Sequence, residues 1–154
     1  MGVEIERRFL VKESSWNTTT SKCSRLIQGY LSYDPTIRVR MDITEGTSEL
    51  TIKGPKNGFS CSEWNYSIPS NEAKVILESH KNELVEKLRY DVTHQGKLWV
   101  VDVFTGSNSG LVLAEIELDS QDEKFEIPPW CGKEVTGKSK YSNSNLSRTP
   151  YSSW

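Results

Sequence analysis

Glu4 and Glu6 stand one residue apart near the start of the chain, and Glu115 and Glu117 repeat that spacing far along it. Arg38 and Arg40 form a third pair of the same kind, and Lys87 and Arg89 a fourth. Residues i and i+2 of a β-strand share one face, so each pair projects two like charges to the same side. Carboxylates placed this way repel unless a cation sits between them. Oxygen-only donors favour hard ions, Mg2+ or Mn2+, over zinc. Arginine pairs grip phosphate oxygens through a planar fork of donors, and lysines add point charges. The residue types therefore point to a divalent cation and a phosphate-rich anion.

These pairs need strands to carry them, and alternation with period two runs along most of the 154 residues. It predicts strands over 3–12, 24–33, 36–43, 48–54, 60–68, 83–93, 97–105 and 111–118, separated by Gly- and Pro-containing turns. One helix is predicted between Ser70 and His80, where Ala73, Ile76 and Leu77 make an apolar stripe. Residues 13–22 read as a polar connection with room for one helical turn. Residues 119–141 read as irregular, with a short helix near 119–125 and a corner at Pro128-Pro129-Trp130. The Ser- and Asn-rich segment 142–154 reads as a frayed tail after a single domain spanning 1–141. Eight antiparallel strands with short turns suggest a mainly β fold, an eight-stranded barrel closed on itself, which leaves no exposed edge.

The charged face of these strands has two readings. Charged alternation ordinarily marks a face turned to water. Yet a solvated face mixes both signs, whereas here the first and last strands carry carboxylates, the third arginines and the sixth Lys and Arg. The alternative is an inside-out barrel with a charged lumen and an apolar exterior covered by the helix and loops. Its candidate bases are Arg8, Arg38, Arg40, Lys53, Lys87, Arg89 and Lys138, and its candidate acids Glu4, Glu6, Glu63, Asp102, Glu115 and Glu117. The excess of one positive charge would rise to about five with two divalent ions, matching a compact polyanion of roughly four to five negative charges. A triphosphate is the simplest such anion.

Composition excludes other classes. Hydrophobic residues make up 35% of the chain, low for a globular domain, but fifteen aromatic residues argue against disorder. A formal net charge of −2 gives no reason to expect nucleic acid. No apolar run is long enough to span a membrane, and no secretory signal is visible. Cys23, Cys61 and Cys131 are an odd number without metal-ligand spacing and read as reduced thiols of a cytoplasmic protein. Oligomeric state, a homodimer included, is left open.

The ordered set of motifs resembles the CYTH, or triphosphate tunnel metalloenzyme, superfamily, and in particular its short bacterial branch. Glu4-Ile5-Glu6-Arg7-Arg8 is similar to its Glu-x-Glu-x-Lys signature. Ile37-Arg38-Val39-Arg40, Thr51-Ile52-Lys53, Val85-Glu86-Lys87-Leu88-Arg89-Tyr90, Ala114-Glu115-Ile116-Glu117 and Val135-Thr136-Gly137-Lys138 follow in order. The resemblance implies a tunnel that hydrolyses or rearranges a triphosphate with divalent metal, two Mg2+ or Mn2+ ions. It implies metal ligation by Glu4, Glu6, Glu115 and Glu117, with Glu63 as a further ligand and Asp102 as an outer ligand or partner of a lumen base. Arg8, Arg38, Arg40, Lys53, Lys87 and Arg89 would line the tunnel around the phosphates, and Lys138 would close one end. Glu4, Glu6, Arg8 and Lys87 form the implied catalytic set. Asn65 stands where relatives carry a second Glu, and Arg8 replaces the usual Lys. Inorganic tripolyphosphate is the expected substrate. A nucleoside or thiamine triphosphate, cyclisation of ATP, and a non-catalytic polyphosphate-binding module remain as alternatives.

Overall fold

Residues 2–154 are described by a computed structural model. Alternating segments form β1 (Gly2–Val11), β2 (Thr20–Tyr33), β3 (Thr36–Asp42), β4 (Thr47–Asn57), β5 (Ser60–Ser67), β6 (Val85–His94), β7 (Lys97–Thr105) and β8 (Val112–Glu117). Two helices, α1 (Ser70–Glu78) and α2 (Asn143–Arg148), and a short β9 (Cys131–Glu134) complete the regular structure apart from 3-10 turns. The sheet runs β5-β4-β3-β2-β6-β7-β8-β1, and β1 returns to pair with β5, closing an eight-stranded antiparallel barrel. Every pairing is antiparallel. The eight predicted strands are all present. Among the described residues no helix is long and apolar enough to cross a membrane.

β1 holds the closure together. Along one edge it pairs with β8 from Glu6 to Leu10. Along the other it pairs with β5 from Gly2 to Ile5 and then with β9 from Phe9 to Val11. β9 thus continues the position that β5 vacates.

Apolar residues pack mainly outside the barrel wall. Phe9, Trp16, Val92, Trp99, Val101, Ala114, Ile116, Leu118 and Trp130 form one outer cluster under the loops. Val39 packs beneath Ala73 and Leu77 of α1 on another side. Gly29 of β2 lies under this helix, where an added Cβ would come within 3.0 Å of Leu77 Cδ2. Burying such side chains is worth about 1.5–3 kcal/mol each, so covering the outer face stabilises a wall whose inner face is charged.

Residues 15–19 make the one helical turn that the connection had room for, in 3-10 form, and it buries Trp16 against Tyr90. Two expectations change. No helix forms near 119–125, which runs as bends and turns. The segment 142–154, expected to fray, folds back on the barrel: Ser142 Oγ caps α2 by accepting from Asn145 N, and Leu146 is completely buried. Leu146 packs with Val85, Phe104, Leu111, Leu113 and Val135. Val85, Phe104 and Leu113 share the strand parity of Lys87, Asp102 and Glu115, so this cluster is an apolar floor at one end of the lumen. One buried leucine supplies what the tail's composition lacked.

Candidate active site

Strand alternation turns the charged residues inward, where register decides which of them meet. Arg8 faces Glu115 across β1 and β8, Lys53 faces Glu63 across β4 and β5, and Arg89 faces Asp102 across β6 and β7. Arg8 donates to Glu6 Oε1 at 2.8 Å and approaches Glu115 Oε2 at 3.4 Å. Asp102 is fully buried and accepts from Lys87 Nζ at 2.7 Å and from Arg89 at 2.7 and 2.8 Å. Both of its oxygens are therefore committed to bases. Lys53 Nζ lies 2.7 Å from Glu4 Oε2 and 3.2 Å from Glu63 Oε2. Arg38 donates to Thr51 Oγ1 and Arg40 to Gln28 Oε1, each at 2.9 Å.

Of the predicted site residues, twelve share this lumen. Lys138 does not join them: it is exposed, and its close charged neighbour is Lys133, which pushes its ammonium down. The lumen bases are met instead by backbone and side chains that follow it. Tyr141 O accepts from Arg8 at 3.3 Å. Asn143 Oδ1 accepts from Lys87 Nζ at 3.0 Å and from Gln28 Nε2 at 3.3 Å. Sequence reasoning missed Asn143 and Gln28. Gln28 has strand parity with the lumen as its signal, but Asn143 has none beyond an N-terminal Ser cap.

Electrostatics follow from packing opposite charges close together, some fully buried and some half-buried. Burial works against the charge of Arg8, yet Glu115 and Glu6 hold its guanidinium above the usual range. Asp102 is likewise buried, and Arg89 with Lys87 holds it low. Burial pushes Lys87 down to about 7 despite Asp102, with Arg89 and Arg40 adding repulsion. Burial raises Glu6, and Glu115 raises it further through charge and a shared hydrogen bond. Glu117 rises through burial and the charges of Glu4 and Glu63. The lumen thus holds repelling carboxylates at one side and repelling cations at the other.

Arg8 Nε and Arg38 Nε are buried N–H donors without a hydrogen-bond partner, and Glu63 Oε2 is a buried acceptor in the same condition. Unmet buried donors and acceptors carry a desolvation penalty of about 1–3 kcal/mol each, which an anion and a cation would relieve. Among the described residues no three acidic, His or Cys side chains are clustered tightly enough to grip a metal ion as they stand. The donor set still fits a hard divalent ion: Glu4, Glu6, Glu63, Glu115 and Glu117 offer oxygen alone.

A cavity of about 460 Å3 opens beside the lumen residues Arg40 and Arg89. Arg40 and Arg89 reach it from the lumen, and Ser24, Asp42, Ser48, Glu49 and Asp91 rim it. No aromatic side chain lines it. Trp16 and Trp130 are core residues of the outer cluster, and Phe59 sits exposed at the β4–β5 hairpin beside Arg7.

The CYTH domain sequence profile matches residues 2–151, almost the whole chain. The chain belongs to the CYTH family. This CYTH domain is 42% identical over 152 residues to a protein of Acetivibrio thermocellus named inorganic triphosphatase, covering 98% of this chain and 97% of the relative. A second inorganic triphosphatase, from Nitrosomonas europaea, is 34% identical over 148 residues, covering 93% of this chain and 95% of the relative. A crystal structure titled as an inorganic triphosphatase superposes with a TM-score of 0.67 at 32% identity, covering 96% of this chain and 95% of that one. All three alignments run past residue 141, in keeping with a domain that includes α2.

Proposed function

We propose that this CYTH domain hydrolyses inorganic tripolyphosphate to pyrophosphate and phosphate with the help of divalent metal. The observation that supports the reading is the basic lining of the barrel, Arg8, Arg38, Arg40, Lys53, Lys87 and Arg89, with unmet donors on Arg8 and Arg38. Two relatives named inorganic triphosphatase support it. The cavity beside Arg40 and Arg89 offers polar and charged side chains and no ring on which a nucleoside or thiamine could stack, which favours a bare phosphate chain.

Arg40 and Arg89, reachable from the cavity, would meet the chain first, and Arg8 and Arg38 would take its oxygens on their unmet Nε donors. Fixed guanidinium groups stabilise charge that builds on the transferred and leaving phosphates, which is most of what phosphoryl transfer asks of a protein. Asp102 and Asn143 hold the Lys87 ammonium in place from two sides. Glu4, Glu6, Glu63, Glu115 and Glu117 would hold Mg2+ or Mn2+. Bound there, the ion would neutralise phosphate charge and lower the pKa of water at the site. Neither His80, at the end of α1, nor His94, in the β6–β7 hairpin, has a place among these lumen contacts, so a carboxylate of the cluster accepts the proton of the attacking water. Free thiols at Cys23, Cys61 and Cys131 suit a cytoplasmic enzyme.

The test is a phosphate-release panel over tripolyphosphate, ATP, thiamine triphosphate and pyrophosphate, each with Mg2+ and with Mn2+. Fastest release from tripolyphosphate, lost in Glu4→Gln, is expected. Full turnover by Glu4→Gln would sink the assignment, cyclic AMP from ATP would make the domain a cyclase, and tight binding without release would make it a binding module.

A further inference from the structure

Lys53 stands apart from the other lumen bases. Arg8, Lys87 and Arg89 face carboxylates deep in the barrel, but Lys53 bridges two acids across the closure seam, Glu4 on β1 and Glu63 on β5. Its bond to Glu4 has hydrogen-bond geometry, whereas its approach to Glu63 Oε2 is a charge contact only, and that oxygen stays without a hydrogen-bond donor. Glu63 Oε1 is already taken by Asn65 Nδ2 at 2.9 Å. Glu117 feels the charge of both Glu4 and Glu63. Among the described residues, Lys53 is the cation in contact with Glu4 and Glu63, and it satisfies this carboxylate group incompletely. Arg38 in turn repels Lys53 from the lumen side.

We propose that Lys53 is a built-in counter-ion: it occupies the cation position between Glu4 and Glu63 in the metal-free protein and leaves it for the phosphate chain when a divalent ion binds. The inference rests on the metal reading given above. Two charges at one point outcompete one, and a hard ion can ligate the open Glu63 oxygen that the ammonium leaves unmet. Lysine suits the exchange, since a compact charge on a flexible four-carbon stem can change partners without backbone movement, where an arginine fork would be held by its own geometry. The carboxylates stay compensated in the empty barrel, and the displaced ammonium gains an anionic partner once substrate enters. Metal and substrate binding are then linked through one side chain. The same residue weakens the metal site when no phosphate is present.

The experiment titrates the metal-free full chain with Mn2+ in the absence of phosphate, following free Mn2+ by electron paramagnetic resonance. Lys53→Met is expected to bind Mn2+ about tenfold more tightly than the unaltered chain, equivalent to about 1.4 kcal/mol. Arg38→Met removes an equal charge from the same lumen without touching Glu4 or Glu63, and is expected to change affinity about twofold or less. Equal gains in the two variants would show a general charge effect and overturn the proposal, as would no gain in Lys53→Met. In both cases weakened binding by Glu4→Gln would leave the metal site standing. No Mn2+ uptake by any form, even with tripolyphosphate added, would remove the metal reading and the proposal together. Should Lys53→Met fail to fold, lysine acylation mapped by mass spectrometry on the unaltered chain decides: Mg2+ must raise the labelling of Lys53, and unchanged labelling overturns the exchange.

Discussion

Replacing Asp102 with asparagine puts the lumen's charge balance under direct test. Asp102 is fully buried and accepts three hydrogen bonds from Lys87 and Arg89. The amide keeps its shape and one oxygen but loses the charge, leaving a buried ammonium and a guanidinium to repel each other. Removing one partner of a buried pair costs about 3–5 kcal/mol, and the retained oxygen puts Asp102→Asn near about 3. With a urea m value near about 2 kcal/mol/M, the unfolding midpoint should fall by about 1.5 M. Equilibrium unfolding followed by tryptophan fluorescence gives the readout, because Trp99 is completely buried. Saturating tripolyphosphate in EDTA, which prevents turnover, should narrow the gap, since the ligand's charge replaces the one removed and binding to the folded state adds stability by mass action. A midpoint within about 0.3 M of the unaltered protein, well inside what breaking a buried pair should produce, would refute the reasoning. So would a gap that tripolyphosphate leaves untouched.

Other outcomes follow from the same contacts. Glu117→Gln should abolish turnover yet raise the metal-free unfolding midpoint at pH 7. Burial with Glu4 and Glu63 lifts the Glu117 carboxyl in the folded state, so its ionisation removes stability as pH rises, and the gain should vanish below about pH 4, where folded and unfolded forms are both protonated. Leu146→Ala should cost about 2–5 kcal/mol if α2 stays docked. If α2 lifts instead, trypsin should cut after Arg148 or Lys140 in the variant and not in the parent. In a thiol titration of the native protein, exposed Cys23 should react at once with a disulfide reagent. Buried Cys131, whose thiol is pushed up to about 12, should react only after denaturation.

The lumen was legible because period two is a local signal: once Arg38 and Arg40 share a face, closing the sheet only decides whether that face looks in or out. Segregation of sign by strand supplied the direction, and register placed Arg8 against Glu115 and Arg89 against Asp102. The docking of α2 was illegible for a physical reason. Asn143-Ser144-Asn145-Leu146-Ser147-Arg148 has weak helix propensity and one large apolar residue, so no periodicity marks it. Its stability comes from Leu146 meeting Val85, Phe104 and Leu113, which are contributed by three strands distant in sequence. β9 escaped notice similarly: four residues pair with β1 only because β5 ends its pairing at Ile5. Charge marks Lys138 in the sequence, but the contacts to lumen bases in this segment come from Tyr141 O and Asn143, which carry no charge to mark them.

The seam between β1 and β5 gives the charged wall a history during folding. Four residue pairs, Gly2–Ile5 against Ser60–Glu63, join segments more than fifty positions apart, and the other eight strand pairings can form without them. Closing the ring needs both edges of β1, and its other edge pairs Arg8 with Glu115, 107 positions away, so whichever edge forms last is a long-range and therefore slow contact. Until it is made, the sheet lies open and its Glu, Arg and Lys side chains are hydrated, which keeps the unfinished chain soluble. The face that looks like an ordinary wet surface in the sequence is one, for as long as the barrel is unzipped. Zipping the β1–β5 edge shields much of the lumen charge from water and brings Glu4 to Lys53 and Glu63. Polyanions and salt should therefore act on the last event of folding as strongly as on the finished site.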